Sequence, residues 1–102
     1  MTADDITKLI EADLEARKDI RTCLSFDRCR VTPVLQDYYS SSDDVQPEKL
    51  WLVLEEDPSK HVGYSIFYDE SMSMFGLGHM SENGKRISFS LYESFCDAVE
   101  AM

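Results

Sequence analysis

Between residues 50 and 90 the chain repeats one rhythm, a short apolar or aromatic run followed by a tight turn signal, and few folds accept it. "LWLVL" leads into "DPSK", "VGYSIFY" into "DES", and "MSMFGLGHM" into "ENGK". Runs bounded by Pro, Gly, Asn and Asp read as strands, and connections this short make neighbouring strands antiparallel. Asn83-Gly84 is the strongest hairpin signal in the chain, because both residues tolerate positive φ. The spacing predicts strands over Leu50–Leu54, Val62–Tyr68 and Met72–Met80, with a further strand leaving the Asn83-Gly84 turn at Ile87. Residues 50 to 54 are apolar without a break, so that strand is expected to be covered on both faces, by helix on one of them.

Helical patterns flank this region. Thr2 followed by Asp5 forms a capping-box start, and Ile6, Leu9, Ile10 and Leu14 recur at helical spacing. A helix over Ala3–Arg17 follows, with a continuation or restart through Ile20–Leu24. Val31–Leu35 suits a short strand that Pro33 confines to an edge or a bulge. Ser40–Asp44 is a loop. Ser90 with Glu93 reads as a second capping box, opening a terminal helix with Leu91, Phe95, Val99 and Met102 on one stripe. With 102 residues there is room for one domain, residues 1–102. The fold class expected is α+β: an antiparallel β-meander of three to five strands in two layers with an N-terminal and a C-terminal helix.

The faces of the meander follow from the turns. A two-residue turn at Asn83-Gly84 sets Met80 opposite Ile87, and a three-residue loop at Asp69–Ser71 sets Tyr68 opposite Met72. Tyr64, Ile66, Met72, Met74, Met80, Ile87 and Phe89 then form the core face, where Gly76 and Gly78 leave room for facing rings. The other face carries Ser65, Phe67, Ser73, Phe75, Leu77, His79 and Ser88. That face is too apolar to meet water alone, which marks it for a partner, for a second copy of the chain, or for cover by the N-terminal helix or the loop from Tyr38 to Asp44. One residue of register change at the Asp69 loop exchanges the two sides.

Charge narrows the class of partner. Twenty acidic against ten basic residues leave a net charge of -10. This field repels phosphate backbones and anionic lipid, so neither nucleic acid nor membrane is expected as a partner, and a basic protein is. Acids cluster at strand ends, among them Asp69 and Glu70, and would form a negative edge that steers association. The first residues have neither the basic nor the apolar region of a signal peptide, and Cys23, Cys29 and Cys96 are an odd number; a cytoplasmic location is the expectation.

No pattern in the chain carries chemistry. The cysteines and the two histidines, His61 and His79, lack zinc spacing, no acidic run has calcium-loop spacing, and no thiol has a sequence-local base. No cofactor and no enzymatic activity are therefore expected, and the function indicated is protein binding through Phe67, Phe75, Leu77, His79, Asp69 and Glu70. Two alternatives are a small-molecule-binding domain or enzyme with a pocket lined by Tyr64, Tyr68, Met74 and Tyr92, and a homodimer without another partner.

The segments "WLVLEE", "GYSIFYDE", "FGLG" and "SFCDAVEAM", spread over Trp51–Met102, resemble small acidic immunity proteins of bacterial toxin systems. The resemblance implies a chain that binds and blocks a toxin domain, with no substrate of its own. It carries across no binding residues.

Overall fold

A computed structural model describes residues 1–17, 29–41, 43–60 and 62–102. The expected restart at Ile20–Leu24, Cys23 and His61 lie outside the described residues. The first helix, α1, spans Ala3–Ala16. Its start is the capping box read from the sequence: the Asp5 N–H donates to Thr2 Oγ1 at 3.3 Å, and the Thr2 N–H donates to Asp5 Oδ2 at 2.9 Å. Ile6 and Ile10 are buried from this helix while Leu9 is exposed, so the apolar stripe is narrower than the spacing implied.

Five strands follow: β1 (Arg30–Tyr39), β2 (Glu48–Asp57), β3 (Val62–Asp69), β4 (Met74–Met80) and β5 (Arg86–Tyr92). Each pairs antiparallel with the next, giving the α+β arrangement of a five-strand meander with a helix at each end. The sheet then closes on itself. Tyr38 and Tyr39 of β1 pair in parallel with Arg86 and Ile87 of β5, making a small barrel. β1 is longer than the sequence predicts, and its register shifts between Arg30 and Val34, the stretch that contains Pro33. A proline cannot donate to the ladder, so the irregularity falls where the ring sits.

The terminal helix, α2, spans Phe95–Ala101. Its cap is Ser94, whose hydroxyl accepts from the Asp97 N–H at 3.1 Å. The Ser90–Glu93 capping box is therefore corrected: Ser90 and Tyr92 remain in β5, paired with Leu77 and Phe75. Strand pairing outweighed a local motif that sits one turn too early. Asp13 of α1 accepts the Phe95 N–H at 2.8 Å, and Arg17 forms ion pairs with Asp97 and Glu100, so the two helices are fastened to each other.

The two sides of the sheet are filled differently. Leu54, Ile66, Tyr68, Phe75 and Leu77 pack outside the barrel against Ile6, Ile10, Phe95, Ala98 and Val99 of the helices. Phe75 joins the layers, its ring centroid 4.8 Å from Tyr68 and 5.7 Å from Phe95. On the other side Tyr38, Leu50 and Phe67 form a second cluster. The Tyr38 ring lies 4.9 Å from Phe67, and its hydroxyl is 2.9 Å from Ser65 Oγ on β3, so this cluster spans the barrel interior. Thus Leu50, Leu52, Val53 and Leu54 are all buried, with helix beyond one face of β2 and the barrel's own lumen beyond the other.

The lumen also holds charge. Glu55 is 2 % exposed and its Oε2 lies 3.2 Å from Arg86 Nη1. Opposite signs at that distance offset part of the desolvation each group suffers. Close approach of the rings depends on β4: a Cβ on Gly78 would stand 2.8 Å from Tyr38 Cε2, and one on Gly76 would stand 2.5 Å from the Ser90 carbonyl oxygen and against the Phe67 ring.

Candidate partner-binding surface

The β3–β4 turn decides which rings reach the surface. Asp69 Oδ1 accepts the Ser71 N–H at 3.0 Å, the Ser71 hydroxyl at 2.7 Å and the Met72 N–H at 3.3 Å. An aspartate that gathers the next amides in this way builds an Asx turn. Ser73 completes the loop at φ 54, and Asp69 pairs directly with Met74. The connection is thus the four residues 70–73, not the three expected. Tyr64 lies opposite His79, Ile66 opposite Leu77 and Tyr68 opposite Phe75.

The β4–β5 turn is also longer than expected. The Gly84 N–H donates to the Ser81 carbonyl at 3.0 Å and the Ser81 N–H to the Lys85 carbonyl at 2.8 Å. Gly84 sits at φ 82, so residues 82–84 form a three-residue loop that needs a left-handed residue at its end. His79 therefore lies opposite Ile87 and Met80 opposite Arg86, one residue from the expected register. A bulge between Ser88 and Ser90 then restores it, leaving Phe89 as the extra residue.

These shifts overturn the expected faces. Phe75 and Leu77 are buried at 4 % and 2 % exposure under the helices, and Phe67 is buried in the lumen, so none of the three forms an outer face. Asp69 is buried and occupied with its turn. Glu70 is exposed at the turn tip, 3.5 Å from the N-terminal ammonium, at the far end of β3 from His79. Of the expected core, Met72 is exposed in the turn, while Tyr64 and Phe89 are exposed at 43 % and 50 %. Tyr68, expected beside Tyr64 in a pocket, belongs to the buried core.

What the fold does bring together is Tyr64, His79 and Phe89. The Phe89 ring lies 6.1 Å from Tyr64, edge to face, and 5.6 Å from His79. With Gly63 and Met80 they line a shallow depression of about 430 Å³ on the outside of the barrel. Phe89 lines a second depression, of about 390 Å³, with Glu48, Leu50, Phe67, Asp69, Ser88, Ser90 and Leu91. Phe67 and Leu50 belong to the lumen cluster, so this second hollow is the mouth of the barrel. Of the residues expected to bind a protein partner, the fold places His79 alone beside the exposed rings, and the sequence offers Tyr64 for binding only in the pocket of the alternative reading. Tyr64, expected on the core face or lining a pocket, is exposed because it stands at the end of β3, and Phe89, expected in the core, is exposed at a bulge, which leaves no local signal in the sequence.

The acidic loops prove to be turn builders. Hydrogen bonds from the Gln46 and Ser40 amides and the Ser40 hydroxyl hold the Asp44 carboxyl below its ordinary pKa. Asp57 is lowered in the same way, first by the Ser59 hydroxyl and further by the Lys60 amide. The described thiols are buried structural groups. Cys29 donates to the Glu56 carbonyl, and Cys96 donates to that of Asp13, with burial first and the Asp13 charge second pushing the Cys96 thiol pKa up. Among the described residues no group of three or more His, Cys, Asp or Glu is placed to hold a metal ion, and no helix is long and apolar enough to cross a membrane.

No protein-family model, curated protein or solved structure matches the chain.

Proposed function

We propose that this chain is a protein-binding module of the immunity type, which docks on a cationic toxin domain through the exposed rings of Tyr64 and Phe89 with His79 between strands beside them. The observation that carries the reading is the ring cluster itself. Two large aromatics stand exposed in contact with each other on rigid strands, with their edges and faces open to a partner. Aromatic side chains at this exposure lose little conformational entropy on binding and dominate many interfaces. Lysine and arginine from the partner stack on such faces, and a net charge of -10 draws them in. The resemblance of Trp51–Met102 to immunity proteins agrees with an inhibitory role for this contact.

The test is association of the purified protein with a panel of cationic nuclease toxin domains, at low and high salt. Phe89→Asp, with an unchanged circular dichroism spectrum, is expected to weaken binding at least about tenfold, and salt to slow association. Binding that ignores both the substitution and the salt would remove this surface from consideration.

A further inference from the structure

Resting on the reading of the chain as a protein-binding module, we infer that the outer edge of β5 from Ser88 to Tyr92 receives an extended cationic segment of the partner as an added strand. β5 has β4 on one side along its length, but on the other side β1 pairs with Arg86 and Ile87 alone. β1 also touches Ser88, whose hydroxyl donates to the Tyr39 carbonyl at 3.4 Å; beyond that residue the backbone groups on this side pair with no described strand, and open sheet edges are templates for strand addition. Phe89 and Leu91 stand exposed along the edge, and no proline or acidic residue blocks it.

The edge borders the barrel mouth. Alternate side chains of an added strand point into that hollow, whose floor is Leu50 and Phe67 and whose lining includes the exposed carboxylate of Glu48. An aliphatic stem over an apolar floor with an ammonium or guanidinium beside a carboxylate describes lysine or arginine. The two cations nearest the start of β5 do not oppose this. Arg86 is turned inward on Glu55, and Lys85 donates to the Asp44 carbonyl and lies over the Tyr39 ring. Glu93 follows the strand and adds a further exposed acid. Phe89 lines both depressions, so the added strand is continuous with the ring cluster. The same charge opposes β5-to-β5 pairing of two copies.

The experiment titrates the intact protein with a short alternating Lys-Val peptide, its Glu-Val counterpart, and the Lys-Val peptide N-methylated at alternate residues. Backbone amide shifts and hydrogen exchange supply the readout. The Lys-Val peptide is expected to bind at least about tenfold more tightly than Glu-Val, to perturb and protect residues 88–92, and to lose binding on N-methylation. Leu91→Glu, which lies outside the ring cluster, is expected to change the affinity without moving the Tyr64 signals. Equal binding of the N-methylated peptide, shifts confined elsewhere, or protection of 88–92 by self-association without peptide would each overturn the inference. A toxin domain that binds through Tyr64 and Phe89 while leaving the edge amides unprotected sinks the edge alone. Strand addition that survives alongside indifference to Tyr64→Ala sinks the ring-cluster reading alone.

Discussion

Gly76 and Gly84 show that one residue type serves two needs in this chain, and the difference is measurable. At Gly76 the obstacle is packing: an added methyl would meet the Ser90 backbone and the Phe67 ring, neither of which can retreat in a closed barrel. Gly76→Ala is expected to cost roughly 2 to 3 kcal/mol in urea unfolding. At Gly84 nothing lies within reach of a methyl, and only the φ of 82 opposes substitution, so Gly84→Ala should cost about 1 kcal/mol. Tyr38 supplies the pH dependence. Burial in the lumen raises its pKa from 10.0 to about 12, while the hydrogen bond with Ser65 pulls weakly the other way. Between those pH values the folded phenol keeps a proton that the unfolded one has lost. Stability is therefore full below pH 10 and declines as pH rises toward about 12, by up to roughly 2 to 3 kcal/mol. Urea midpoints across this range should show the slope in the native protein and its absence in Tyr38→Phe.

At the scale of elements, the strands and helices were legible and the faces were not. The Thr2–Asp5 box marked the start of α1, and the unbroken apolar run at Leu50–Leu54 identified a doubly covered strand, because both signals are local. The faces depended on counting loop residues. Asp69 drew Ser71 and Met72 into the turn by accepting their amide N–H groups, Ser73 followed at φ 54, and Gly84 closed a loop of three where Asn83-Gly84 alone reads as two. The odd change of register at the Asp69 loop moved Phe75 and Leu77 onto the face of Ile66 and Tyr68, under the helices, whereas Tyr64 keeps to that same face and is exposed because it lies past the residues packed against the helices. Closure of the sheet left no local trace either: Tyr38 and Tyr39 lie beyond the strand expected at Val31–Leu35, in what reads as loop. The element-scale prediction concerns the pair that links β2 to β5. Arg86→Met is expected to destabilise by about 3 kcal/mol in urea unfolding by removing a cation from a buried carboxylate, and adding Glu55→Gln should recover part of that loss.

For the molecule as a whole, the arrangement places its buried mass and its exposed rings at different ends of the same strands. β3 carries Ile66 and Tyr68 into the helix-covered core and Tyr64 into solvent, so the exposed ring rides on a strand anchored in the core. That economy has a cost in how the barrel is fastened. Four strand pairings run along most of their strands, while the fifth consists of Tyr38 with Arg86 and Tyr39 with Ile87, residues distant in sequence. A clasp of two rungs is the last contact chain entropy favours during folding and the first to let go in thermal fluctuation. Native-state hydrogen exchange should find the amides at this clasp opening at lower free energy than those of β2, β3 and β4. On that expectation the barrel is a hairpin stack fitted with a door, hinged beside the edge proposed to receive a visiting strand.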